Sequence, residues 1–306
     1  MNLMRRAVLG VADLPPVHRL FVRNRYARQL VNRFVAGDTL ESALTVAREL
    51  AGEGITVTLD LLGENVSTRD AAAAAVGSYT ETLRQMKAND LEPNISVKLT
   101  MLGLDLGDDV ARENMTRILE AAREVGGFVR IDMEGSDYTT RTMQIFGQLH
   151  DRFPEEVGIV IQSYLHRAAS DVVDMINRGA RVRLVKGAYA EPESVAIQSR
   201  TENDENYERL MQHLLDKGNY PAIATHDPAL IEATIAYARA NTIPPDRYEF
   251  QMLYGVRRNE QLRLKRAGYG MRVYVPFGTE WYPYFTRRIA ERPSNAFFVL
   301  RQVFDR

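Results

Sequence analysis

The chain has 306 residues, 39 basic against 40 acidic side chains, and no cysteine. Disulfides, thiolate catalysis and zinc–thiolate sites are thereby excluded, and the balanced charge argues against a dedicated nucleic-acid binder, which would be strongly basic. No segment approaches the roughly 18 apolar residues of a membrane-spanning helix, and the length suits one large domain rather than two.

Residues 1–52 read as two or three helical pieces, broken first at Pro15-Pro16. Arg5, Arg6, Asp13 and the two prolines interrupt the first twenty residues, a pattern unlike a signal peptide. Residues 1–35 carry seven arginines and one acid, Asp13. Such a face is either simply solvated or meets anionic lipid or a partner. Asp38 or Thr39 is placed to cap a helix carrying Leu40, Ala43, Leu44, Val46 and Ala47.

From Ile55 onward eight short β-rich runs recur: ITVTLDLL, NISVKLT, FVRIDME, VGIVIQSY, VRLVKGAY, PAIATHD, YEFQMLYG and RVYVPFG. They are nearly continuous in apolar character, as expected of parallel strands buried on both faces. Amphipathic sequence separates them, with helices expected over 68–88, 109–125, 139–152, 169–178, 203–217, 228–240 and 259–267 and a last one over 282–304. The alternation predicts an α/β protein: an N-terminal helical segment, 1–52, then a (βα)8 TIM-like barrel over 53–306. In such barrels the active site lies at the C-terminal strand ends. Here those ends supply Lys98, Asp132, Gln162, Lys186, His226 and Tyr274.

Several constellations could carry chemistry. Tyr284, Arg287, Arg288 and Glu291 share one helical face. Two adjacent guanidiniums suit a bidentate carboxylate ligand, although a surface pair neutralised by Glu291 accounts for them equally. Pro293 stops the helix just beyond. Lys98 and Asp132 form either a rim salt bridge or a charge pair addressing a zwitterion. Asp132-Met-Glu134 could serve a hard cation, but the five histidines show no ligand spacing and no metal is expected. The run Arg183-Leu-Val-Lys186-Gly187-Ala-Tyr189 suits phosphate binding, and a strand-end lysine also suits a Schiff-base aldolase. Thr225-His226-Asp227 adds donors, and Gln162 is an amide able to address a heteroaromatic ring. A glycine-rich dinucleotide fingerprint after the first strand is missing, so a Rossmann reading fails.

Laid out in order, SVKLT at Lys98, RIDMEGS at Asp132, VIQSYL at Gln162, RLVKGAY at Arg183, ATHD at His226 and YFTRRIAER at Arg287-Arg288 resemble the FAD-dependent proline dehydrogenases of the monofunctional bacterial type. The resemblance runs from Leu59 to Asn295 and is weakest in the N-terminal helices. It implies oxidation of L-proline to Δ1-pyrroline-5-carboxylate by hydride transfer to non-covalent FAD at the barrel mouth. Electrons would pass to a membrane quinone, and product to a pyrroline-5-carboxylate dehydrogenase. By the same likeness Arg287 and Arg288 clamp the proline carboxylate, Lys98 assists them and pairs with Asp132, and Glu291 orients the arginines. Tyr274 and Tyr284 wall the ring, and Tyr274 selects proline over hydroxyproline. Met133, Gln162, Arg183, Val185, Lys186, Gly187, Thr225 and His226 match FAD-contacting positions. Asp132, Arg183 and the nearby Tyr189 are implied in catalysis. The helix bearing the arginine pair would lie over the mouth as a lid. The implied location is cytoplasmic, with peripheral contact at the inner face of the membrane. A Schiff-base lyase on Lys98 or Lys186, or a non-catalytic amino-acid-binding barrel, are the rival readings.

Overall fold

The computed structural model describes residues 31–291, with the side chains of the last helix described as far as Thr286. The helical pieces expected before residue 31, and the part of the last helix expected beyond residue 291, lie outside the described residues. Helix α1 (Leu40–Gly52) leads into β1 (Thr56–Leu61), α2 (Arg69–Ala88), β2 (Asn94–Val97), α3 (Asp108–Val125), β3 (Phe128–Ile131), α4 (Ser136–His150), β4 (Val157–Gln162) and α5 (Ala168–Asn177). The chain continues through β5 (Arg181–Val185), α6 (Arg200–Lys217), β6 (Ala222–Ala224), α7 (Pro228–Ala240), β7 (Glu249–Leu253), α8 (Arg258–Arg266), β8 (Gly270–Phe277) and α9 (Trp281–Glu291). The eight strands form a closed barrel in chain order, every pair parallel, with β8 returning to β1.

Helix starts follow local caps. The Thr39 hydroxyl accepts from the Ser42 N–H ahead of α1, and Thr68 does the same for Ala71 ahead of α2. Ser199 accepts from the Glu202 N–H, so α6 begins three residues before the expected 203. Helix α4 also begins early, at Ser136, because a distant residue caps it: the Glu191 carboxylate accepts from the Ser136 N–H at 2.7 Å. The buried face of α1 (Ala43, Leu44, Ala47 and Leu50) joins the same apolar cluster as the barrel.

The strands differ from the expected uniform apolarity in one respect that shapes the whole site. They are buried on both sides, but the helix-facing side is the apolar one, with Val160 and Ala222 as inward exceptions. Val57, Leu59, Ile95, Val97, Val129, Ile131, Val182, Leu184, Phe250, Val273 and Val275 face outward into that cluster. Each such burial is worth roughly 1.5–3 kcal/mol. The alternate residues turn inward, and there the barrel is filled with polar groups instead of aliphatic layers. Thr58, Asp60, Asn94, Ser96, Arg130, Arg183, Glu249, Gln251 and Arg272 are all buried. Buried charge is costly unless paired and hydrogen-bonded, and from Arg183 to Arg272 the interior groups form one continuous network. The Arg183 guanidinium donates from Nε to Gln251 Oε1 at 2.6 Å, Gln251 Nε2 donates to Glu249 Oε1 at 2.5 Å, and Arg272 Nε donates to both Glu249 oxygens at 3.0 and 3.1 Å. Because Tyr274 belongs to this inward set, it sits within β8, three residues before Phe277, rather than at the strand end.

Candidate active site

At the C-terminal mouth five strands, β2 to β6, deliver polar residues. Lys98 directly follows β2, Asp132 follows β3, Gln162 ends β4, and Lys186 follows β5. Thr225 and His226 follow β6.

Asp132 is the hub. Arg183 Nη1 donates to its Oδ1 at 2.8 Å, Ser96 Oγ to the same oxygen at 3.1 Å, and the Tyr274 hydroxyl to its Oδ2 at 2.7 Å. The Arg183 guanidinium also lies over the Tyr274 ring, 5.2 Å from its centroid. Burial and the Asp132 charge push the Tyr274 phenol well above its ordinary range, so it stays protonated and donates.

The expected Lys98–Asp132 pair is a secondary contact. Lys98 Nζ lies 4.0 Å from Asp132 Oδ2 but 3.1 Å from Asp60 Oδ1, on β1. The cause is register: β1 and β2 pair with Asp60 beside Ser96, which brings the last inward acid of β1 under Lys98. Burial would lower the Lys98 ammonium, yet Asp60 and Asp132 outweigh it and raise it well above its usual value. Burial pushes the Asp60 carboxyl up to about 6, with Asp132 adding to the rise and Lys98 opposing it. Asp60 was assigned no role from sequence. Its signal was present, as the one acid in an otherwise apolar-and-threonine strand, TVTLDL.

The other side of the mouth is built around β4 and β5. Gln162 Nε2 donates to the carbonyls of Met133, at 2.9 Å, and Glu134, at 3.2 Å. That fixes the amide's orientation and leaves its buried Oε1 without a hydrogen bond. Arg183 Nη2 is likewise buried and without a partner. Glu134 is held by the Thr100 hydroxyl at 2.5 Å and its N–H at 3.2 Å, and burial raises its carboxyl. Val185 ends β5, and its carbonyl accepts from the Ser163 N–H at 2.8 Å. Gly187 has φ +111°, and a Cβ there would meet the Tyr164 ring at 2.3 Å. Only glycine is suited to that backbone, and its bare face allows close approach. Lys186 Nζ is gripped by Asp204 at 2.5 Å and Asp227 at 2.9 Å. Asp227 also caps α7 through the Ala229 N–H. Burial alone would raise its carboxyl, but Lys186 holds it below the usual range. His226 Nε2 accepts from the Leu253 N–H at 2.9 Å, which puts the proton of a neutral ring on Nδ1. Tyr189 is half-buried on the loop after β5.

Helix α9 follows β8 at the same end of the barrel. Its Phe285 is buried, with ring centroid 6.4 Å from Phe34 and 6.1 Å from Trp281, and Tyr284 is buried beside it. Arg287, Arg288 and Glu291 lie on this helix, and their side chains fall outside the described residues.

The unpartnered Gln162 acceptor, the unpartnered Arg183 donor and the bare Gly187 backbone suit a flat heteroaromatic group with both N–H and carbonyl edges. The Lys98 cation beside them suits a small carboxylate. Fold and mouth together define a (βα)8 barrel whose strand-end donors and acceptors suit a heteroaromatic group beside a small anion. The chain belongs to the proline dehydrogenase family: the family model matches residues 43–301. It is 40% identical over 279 residues to proline dehydrogenase 2 of Bacillus subtilis strain 168, covering 91% of this chain and 92% of that protein. It is also 40% identical over 304 residues to the proline dehydrogenase of Deinococcus radiodurans, covering 98% and 97%. Proline utilization A from Bdellovibrio bacteriovorus, solved after inactivation by N-propargylglycine, superposes with a TM-score of 0.81 at 27% identity, over 91% of this chain and 34% of that one. The chain thus spans about a third of the length of that structure. It is an oxidoreductase of proline catabolism. The Schiff-base alternative is not favoured: such chemistry needs a neutral amine, and Lys98 and Lys186 are each held by two carboxylates.

Proposed function

We propose that this protein oxidises L-proline to Δ1-pyrroline-5-carboxylate with non-covalently held FAD as the immediate acceptor and a membrane quinone downstream. The observation that carries the cofactor reading is the pair of buried, unpartnered polar atoms, Gln162 Oε1 and Arg183 Nη2, on the adjacent strands β4 and β5. When bound, FAD supplies the two-electron acceptor, and the protein supplies position and electrostatics.

Gln162 accepts from the heterocycle, Arg183 donates to it, and the Gly187 backbone allows it to approach. Met133, Val185, Lys186, Thr225 and His226 complete the cofactor side. Lys98, Arg287 and Arg288 hold the proline carboxylate, and Glu291 keeps the two guanidiniums in place. Fixing the carboxylate at one end aims the far side of the small ring at the acceptor. Tyr274 and Tyr284 flank that ring, Tyr274 with its hydroxyl already committed to Asp132, and the phenol leaves little room for a hydroxyproline hydroxyl. Asp132 fixes Arg183 and Tyr274 in orientation, Tyr189 closes the edge, and α9 acts as a lid on a catalytic barrel over residues 53–306. No helix among the described residues is long and apolar enough to cross a membrane. In this reading the protein is cytoplasmic and meets its quinone at the inner membrane face, with the arginine-rich start of the chain as the docking element. A separate pyrroline-5-carboxylate dehydrogenase consumes the product.

The test is colour. The purified protein should be yellow, and the visible band should bleach when L-proline is added without oxygen. A colourless protein that leaves proline untouched, or one trapped by borohydride on a lysine with a carbonyl substrate, overturns the reading.

A further inference from the structure

At the opposite, N-terminal end of the barrel a second cavity of about 270 Å³ opens among the strand starts. Four cations, Arg130, Arg181, Lys265 and Arg272, line it against two carboxylates, Glu92 and Glu249. Both carboxylates are taken by one arginine. Arg272 donates to Glu249 from Nε, to Glu92 from Nη2 at 2.9 Å, and to the Val57 carbonyl from Nη1 at 2.8 Å.

Arg130 and Arg181 are left uncompensated. Among the described residues neither has a carboxylate within ion-pair distance, and each carries a buried Nε with no hydrogen-bond partner. Arg130 is 4% exposed, and its Nη1 is spent on the backbone carbonyls of Ile159 and Arg181. Both guanidiniums lie against the Phe128 ring, 4.8 and 5.2 Å from its centroid. Gly158 makes the space, since a Cβ there would strike Arg130, Phe128 and the Arg181 carbonyl. Burial, with Arg183, Arg272 and Arg181 alongside, pushes the Arg130 guanidinium well below its ordinary value, against the opposing pull of Glu249.

A buried guanidinium without an anion is costly, and planar donors of this kind match oxyanions. We infer that this face is a second, non-catalytic site, binding a small phosphate-class oxyanion on Arg130 and Arg181. The surplus of positive charge selects a multiply charged anion. A zwitterionic amino acid, carrying no net charge, gains little there. Nothing in the described barrel routes proline oxidation through these two residues, so site and reaction are separable.

The experiment titrates the full-length holoenzyme with inorganic phosphate by calorimetry, at constant ionic strength in chloride. One site per chain is expected, with a raised thermal midpoint. Arg181→Gln, at a half-exposed position, should weaken binding by about tenfold, the scale of one charged hydrogen bond, while leaving proline turnover unchanged. Arg181→Lys should recover part of the loss. Arg130→Met should abolish binding, and if that buried variant fails to fold, the Arg181 pair decides. Tighter binding of glycerol phosphate than of phosphate would point to a phosphomonoester, and weaker binding to the free ion. No heat beyond the chloride control overturns the proposal, as does binding untouched by the Arg181 substitutions, or phosphate that competes with proline at the mouth.

Discussion

At the scale of single residues, the mouth depends on buried charges that satisfy one another. Asp132 accepts from Arg183, Ser96 and Tyr274 at once, and removing one member of a buried pair leaves the other uncompensated. Asp132→Asn keeps the shape but not the charge, so it should cost about 3 kcal/mol of stability, read as a lower midpoint in urea unfolding. A loss near zero would mean that Arg183 is adequately solvated without it. Asp60 makes a prediction of opposite sign. Its carboxyl is raised to about 6 in the folded protein against an ordinary 3.8, so the folded state holds the proton more tightly. Its contribution to stability is full below about pH 4 and is lost as pH rises through about 6. Asp60→Asn should therefore flatten the stability–pH curve between those values, and an unchanged slope would assign it to another group.

At the scale of elements, loops at the mouth are tied to one another. Glu191, on the loop after β5, caps α4; Asp227 caps α7 and holds Lys186; Gln162 on β4 ties down the backbone after β3. Sequence periodicity finds such helices but not their first residues, because the cap of α4 comes from 55 residues away. Helix α9 carries the arginine pair in register with Tyr284, and its buried Phe285 and Trp281 anchor it. If those arginines clamp the substrate carboxylate, Arg288→Met should raise the proline KM by at least about tenfold, as expected for a lost charge-assisted contact, with little change in flavin content. Equal loss of flavin would make the arginine structural. Steady-state kinetics beside a flavin absorbance ratio separates the two outcomes.

At the scale of the whole molecule, the barrel is a polar column inside an apolar sleeve. Asp132, Arg183, Gln251, Glu249 and Arg272 link the mouth to the N-terminal face through consecutive hydrogen bonds. A hydrogen-bonded network of this kind holds the mouth residues in place more uniquely than aliphatic packing could. The arginine-rich start of the chain belongs to this scale too, either as a solvated face or as the docking element proposed above. Replacing Arg5, Arg6, Arg19 and Arg23 with Gln should reduce co-sedimentation with anionic vesicles several-fold, at roughly 1 kcal/mol per basic residue near the surface. Equal pelleting of parent and variant rejects the membrane role.

The sequence by itself determined the alternation of eight strands and their helices, and the family. It also supplied most residues at the mouth, among them Lys98, Asp132, Gln162, Lys186 and His226. These follow from local periodicity and strand-end position, which neighbouring residues encode. Only the closed ring decided the partners. Lys98 pairs with Asp60 more closely than with Asp132, Tyr274 reaches Asp132 from the middle of β8, and the alternate strand positions meet as one polar column. Partner choice depends on register carried around all eight strands and across the barrel axis, between residues as far apart as the 215 positions from Val57 to Arg272, and no local pattern records that distance.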